Sequence, residues 1–166
     1  LKDLDDLIQE RLDALLFSNP QRINYYERYQ AIIEEYNSEQ DRATIEKTFM
    51  DLIDLARSMD HEEQRYVREG FSSDEELSMY DLLFSENLSK QDIRAIKKIS
   101  VELLAKVKAK IAELDHWRDK EETRSAVDAL IRDTLWKELP PAYDNSLNEY
   151  RRKIYEYVYI RYPYVA

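Results

Sequence analysis

The chain has 166 residues, 25 Lys and Arg against 35 Asp and Glu, a formal net charge of −10, one glycine and no cysteine. That length suits one domain with a sizeable core, and the missing cysteine excludes disulfides, thiolate metal sites and cysteine nucleophiles, as fits a cytoplasmic protein. The charge argues against general adhesion to DNA or acidic membrane, and no apolar run approaches the ~18–20 residues of a membrane span.

A lone glycine, Gly70, also rules out a G-x-x-x-x-G-K-[ST] phosphate loop and a G-x-G-x-x-G dinucleotide turn, which each need more than one. Period-2 alternation is scarce, so strands are not expected. The expected fold is all-α: a compact multi-helix bundle of seven or eight helices, one domain over 1–166. The opening Leu1-Lys2-Asp3, with neither methionine nor a signal-like stretch, reads as part of something larger.

The first helix is expected from Asp3 to Phe17, with acids at 3, 5 and 6 favouring its N-terminal end. Ser18-Asn19-Pro20 breaks it, and Asn19 and Pro20 then cap and start a second helix reaching Asn37. On that helix Tyr25, Tyr26, Tyr29, Ile32, Ile33 and Tyr36 share an arc of roughly 120°, which predicts an aromatic face turned into the core. Arg22 falls inside the same arc. Stacking on a tyrosine together with a carboxylate from another helix would accommodate it, and partner contact is the alternative.

A third helix is expected over Asp41 to Ser58, burying Ile45, Phe49, Leu52, Ile53 and Ala56. Asp60-His61 either kinks it or separates it from a short helix ending at Gly70. Ser73-x-x-Glu76 is a capping box ahead of Leu77, Tyr80, Leu83 and Phe84, and Ser89 starts the longest helix, to Leu114. Its stripe is Ile93, Ile96, Ser100, Leu103, Leu104, Val107, Ile111 and Leu114. Trp117 lies in a turn. A helix from Lys120 to Leu139 stops at Pro140-Pro141, and Ser146-x-x-Glu149 opens the last one, to Arg161.

Chemistry-bearing patterns are few. Glu113-x-x-His116 matches half of a di-iron bundle motif, but His61 cannot supply the second half. A helix-end histidine is the plainer reading. No catalytic, cofactor-binding or metal residues are expected. Lys90, Arg94, Lys97, Lys98 and Lys108 form a basic stripe on the long helix, which could meet DNA phosphate or be a solvated face. The last helix carries more hydrophobes than one buried face needs. Leu147, Tyr150, Ile154, Tyr155, Tyr157, Val158 and Tyr162 fill its inner side, leaving Arg152, Lys153, Tyr159 and Ile160 outside as a candidate partner interface.

In order along the chain, Asn19-Pro20, Arg22, Tyr25-Tyr26-Glu27-Arg28-Tyr29-Gln30-Ala31-Ile32-Ile33-Glu34-Glu35-Tyr36-Asn37, Asp41-Arg42-Ala43-Thr44-Ile45-Glu46, Thr48-Phe49, Arg68-Glu69-Gly70, Tyr80-Asp81-Leu82-Leu83 and Trp117-Arg118-Asp119-Lys120 resemble one family. It is the C-terminal helical region of the restriction (R) subunit of type I restriction-modification enzymes. The resemblance implies a fragment of a subunit whose upstream parts hold a metal-dependent nuclease and an ATP-driven DNA motor, with ATP and Mg as the parent's cofactors. It further implies a non-catalytic role in docking onto the methyltransferase (M) and specificity (S) subunits, with DNA reached through that complex and no membrane partner. None of the family's nuclease or ATP-binding residues maps onto this chain.

Overall fold

The computed structural model describes all residues 1–166. Eight α-helices form and no strand does, so the chain is all-α. They are α1 (Lys2–Ser18), α2 (Ile23–Ser38), α3 (Arg42–Glu63), α4 (Arg65–Arg68), α5 (Asp74–Leu83), α6 (Lys90–Glu113), α7 (Glu121–Glu138) and α8 (Leu147–Arg161). None is long and apolar enough to cross a membrane. The chain divides into two compact units, Leu1–Asp74 and Glu75–Ala166.

In the first unit, α1 and α3 supply the core: Ile8, Leu12 and Leu15 against Leu52, Leu55 and Met59. Their helical spacing puts each set on one stripe, and each buried aliphatic side chain contributes about 1.5–3 kcal/mol. Asp41 caps α3 by accepting from the Thr44 amide at 2.7 Å. Asn19 does the same for Gln21 at 3.1 Å, but the turn it starts, Pro20–Arg22, is a 3₁₀ turn that precedes α2. Gly70, at φ +84°, ends α4 with a Schellman pair in which its amide donates to Val67 O and the Phe71 amide to Tyr66 O.

Two expectations about this unit need correcting. The aromatic face of α2 lies on the core rather than in it. Tyr25, Tyr29 and Ile32 pack there half-buried, Tyr26 is 37% exposed, and no residue of α2 is fully buried. Tyrosine suits that position because its apolar ring can pack while its hydroxyl stays polar, as Tyr29 does by donating to Asp5 at 2.5 Å. On α3 the buried stripe is Thr48, Leu52, Leu55, Met59 and Glu62, so Ile45 and Phe49 face outward. Leu52 belongs to both possible stripes. Packing against α1 and α2 selects the phase, and the helix continues unbroken through Asp60-His61.

Arg22 is 2% exposed and Glu62 6%. The Arg22 Nε donates to Glu62 at 2.8 Å, and its two terminal nitrogens donate to Asp74 at 3.1 and 2.5 Å. A further bond reaches Ser18 Oγ at 2.9 Å, and Arg65 Nε donates to Glu62 at 2.9 Å. The expected carboxylate partner is therefore present, from α3, and a second carboxylate joins it. Burial alone would raise the Glu62 carboxyl, but the hydrogen bonds from Arg65 and Arg22 outweigh it and hold it below its ordinary value.

The second unit packs α6 (Ile96, Ile99, Leu103, Leu104, Val107, Ile111) with α7 (Val127, Ile131, Leu135) and α8 (Tyr150, Ile154, Tyr157, Val158), all buried. Leu77, Met79, Tyr80, Leu82 and Leu83 of α5 are also buried. Ser89 caps α6 by accepting from the Asp92 amide at 3.0 Å. The second expected capping box does not form: Ser146 sits at the N-cap of α8 without a side-chain cap and donates instead to Tyr143 O at 3.3 Å.

Arg22→Met is expected to destabilise the first unit by about 2 kcal/mol, because buried Glu62 keeps only one of its two arginine partners and Asp74 loses its bonds from Arg22. Combining it with Glu62→Leu should cost less than the sum of the singles, as a double-mutant cycle in urea would show. The Glu62 carboxyl, depressed in the folded state, contributes stability that is complete above its ordinary 4.5 and disappears as pH falls through the lower folded value. An acid titration of Tm should therefore fall less steeply below pH ~4.5 for Glu62→Gln than for the wild type.

Candidate functional site

The turn that joins α6 to α7 is fastened to the end of α8. Trp117 is fully buried there, and its Nε1 donates to Tyr162 O at 2.6 Å. Tyr155 and Tyr159 meet the indole edge-on, with centroids at 6.1 and 5.8 Å. Arg118 donates to Tyr159 O at 2.9 Å, and its guanidinium lies 5.2 Å from the centre of the Tyr159 ring. Thr123 donates to Trp117 O at 2.6 Å and Arg124 to Arg118 O at 2.7 Å, which closes the turn from the α7 side. Each of these contacts restricts a side chain before any partner arrives.

On the outer side of this base, Tyr159 is 38% exposed and Ile160 55%. With Tyr155 and Glu156 they line a shallow depression of about 220 Å³. Arg152 is exposed two turns earlier on α8. Lys153 is drawn along the helix instead, 3.5 Å from Glu149 and with its ammonium 5.0 Å from the Tyr150 ring centre. The four candidate interface residues therefore separate into Tyr159 and Ile160 at the depression, Arg152 exposed but outside its lining, and Lys153 held by neighbours.

The basic stripe of α6 separates too. Lys90, Arg94 and Lys98 are exposed, with Lys98 3.9 Å from Glu102. Lys97 lies 5.6 Å from the Tyr80 ring centre. Lys108 is bonded to Glu75 at 3.0 Å and sits 5.6 Å from the Tyr162 ring, whose hydroxyl also donates to Glu75. Burial would raise the Glu75 carboxyl, but the bonds from Tyr162 and Lys108 bring it below its ordinary value. Lys108 is thus a packing residue, because α5 and the tail after α8 cover that end of the stripe.

Glu113 is the last residue of α6, whereas His116 lies beyond it at φ +49°, so the E-x-x-H pair does not share a helix face. No group of three His, Cys, Asp or Glu side chains is placed to hold a metal ion.

One exposed aromatic escaped the sequence reading. Trp136, 76% exposed on α7, borders a depression of about 300 Å³ with Arg132, Leu135, Asn148 and Arg151. Arg151 joins the two helices there by donating to Asp128 at 2.7 and 2.9 Å. The signal was available: buried Val127, Ile131 and Leu135 set the inner face of α7, and position 136 is about 140° from its centre.

The two tryptophans offer a direct check. Iodide is expected to quench Trp136 emission and leave Trp117 nearly untouched, so Trp136→Phe should blue-shift the spectrum and remove most of the quenching. Similar quenching of wild type and Trp136→Phe would contradict the placement of both.

A family model described as type I restriction enzyme HindI endonuclease subunit-like, C-terminal, matches residues 1–156. Arg152 and Lys153 fall inside the matched range, and Tyr159 and Ile160 follow it. No curated protein and no solved structure gives a significant match. With nearly the whole chain covered, the protein belongs to the family of C-terminal regions of type I restriction enzyme HindI endonuclease subunit-like proteins.

Proposed function

We propose that this chain is a non-catalytic assembly domain of a type I restriction endonuclease subunit, attaching the ATP-dependent DNA-translocating and cleaving subunit to its methyltransferase core. The partners on this reading are the methyltransferase and specificity subunits, and DNA is reached through the assembled complex. ATP and Mg belong to the upstream parts of the same subunit. The observation that carries the reading is the pairing of exposed Tyr159 and Ile160 with the rigid base of Trp117 and Arg118 beneath them. A preorganised aromatic loses little rotamer freedom on binding, which is what an interface hot spot requires.

Ile160 separates binding from folding better than Tyr159, whose ring also packs on Trp117. Ile160→Asp in the intact subunit is expected to weaken capture of the methyltransferase core by about 30-fold, the effect of a 2 kcal/mol hot spot, with Tm unchanged. Equal capture of variant and wild type would remove this patch from the interface.

A second reading, direct DNA contact, is favoured by one observation: Lys90, Arg94 and Lys98 remain exposed at i, i+4 and i+8 on the first turns of α6. Reversing all three to Glu should then lower duplex affinity and reduce the log–log salt slope by about 2.7. An unchanged slope eliminates it.

A further inference from the structure

The first turns of α3 present apolar side chains to solvent. Ile45 is 39% exposed, Phe49 43% and Met50 52%, and Leu1, at 40%, adjoins them. With Glu46 these four line a depression of about 510 Å³. Leu1 also borders a second depression of about 240 Å³, with Ile33, Tyr36, Thr48 and Leu52 among its walls. The polar side chains of Lys2, Asp5 and Asn37 edge that second depression, whereas an exposed apolar patch like the first normally faces another piece of polypeptide.

The direction of α1 identifies which piece. Leu1 lies beside Ile45 and Phe49, while Arg11 bonds to Asp60 and Glu63 at the other end of α3. The two helices therefore run parallel, and chain preceding Leu1 starts beside the exposed first turns of α3. Helical hydrogen bonding already includes Leu1, whose carbonyl accepts from the Asp5 amide at 2.9 Å, and the leucine side chain gives no cap. The family to which the chain belongs is the C-terminal region of an endonuclease subunit, so polypeptide precedes it in such a subunit.

We propose that the segment directly preceding Leu1 in the parent subunit packs on Ile45, Phe49 and Met50 and completes the apolar face of the first unit. This surface is separate from the Tyr159–Ile160 patch, and it stands whether or not that patch docks a methyltransferase.

The test uses the full-length subunit with Met50→p-benzoylphenylalanine, irradiated and mapped by mass spectrometry, with Arg57→p-benzoylphenylalanine as the exposed control (Arg57 side chain 76% exposed). At position 50 the expected product is an intramolecular cross-link to the roughly 20 residues before Leu1, a length that as a helix spans about 30 Å. Its yield should exceed that of the control at least tenfold. Capture of another subunit, of a second copy, of a distant segment, or of nothing above the control overturns the proposal.

Discussion

The first unit depends on settling one buried charge. Arg22 stands where the chain turns from α1 into α2, too deep for water to solvate it, and only carboxylates brought from α3 and from Asp74 make that position tolerable. Glu62 is equally committed, since Arg22 and Arg65 share its Oε2 and Arg65 also donates to its Oε1. The apolar stripes of α1 and α3 could slide or rotate against each other at modest cost. A guanidinium with fixed fork geometry permits far less freedom, so the ion cluster sets the register in which the apolar residues meet.

Much of the fold was legible because its signals are local. Caps at Asp41 and Ser89, the glycine at 70 and the proline pair at 140 and 141 each act within a few residues, and the helices begin and end close to where those residues predict. The stripe of α6 was legible for a similar reason: it is long enough for only one phase to collect all its aliphatics. The phase of α3 was not, because two stripes pass through Leu52, the more apolar one is not the one buried, and contact with α1 and α2 distinguishes them. Burial depth on α2 was hidden by the same limit, since angular position tells which way a ring points and not how much protein lies over it.

The surfaces divide along the same line. An excess of hydrophobes on α8 pointed to Tyr159 and Ile160 as outward-facing, and they are. Their support from Trp117 and Arg118 comes from a turn some forty residues earlier, which no local pattern reports. Lys108 looked continuous with Lys90 and Arg94 because helix geometry alone cannot include Glu75, which neutralises it. Family membership gives these surfaces a setting, the C-terminal region of a type I restriction enzyme HindI endonuclease subunit-like protein.

The Tyr162–Glu75–Lys108 cluster has a mechanical meaning as well. Glu75 opens the second unit and Tyr162 lies four residues from the end of the chain, so the clasp joins the unit's two ends. Tension entering at those ends would meet side-chain bonds before it reached the helix ladder. A unit closed in this way resists peeling from either of its ends.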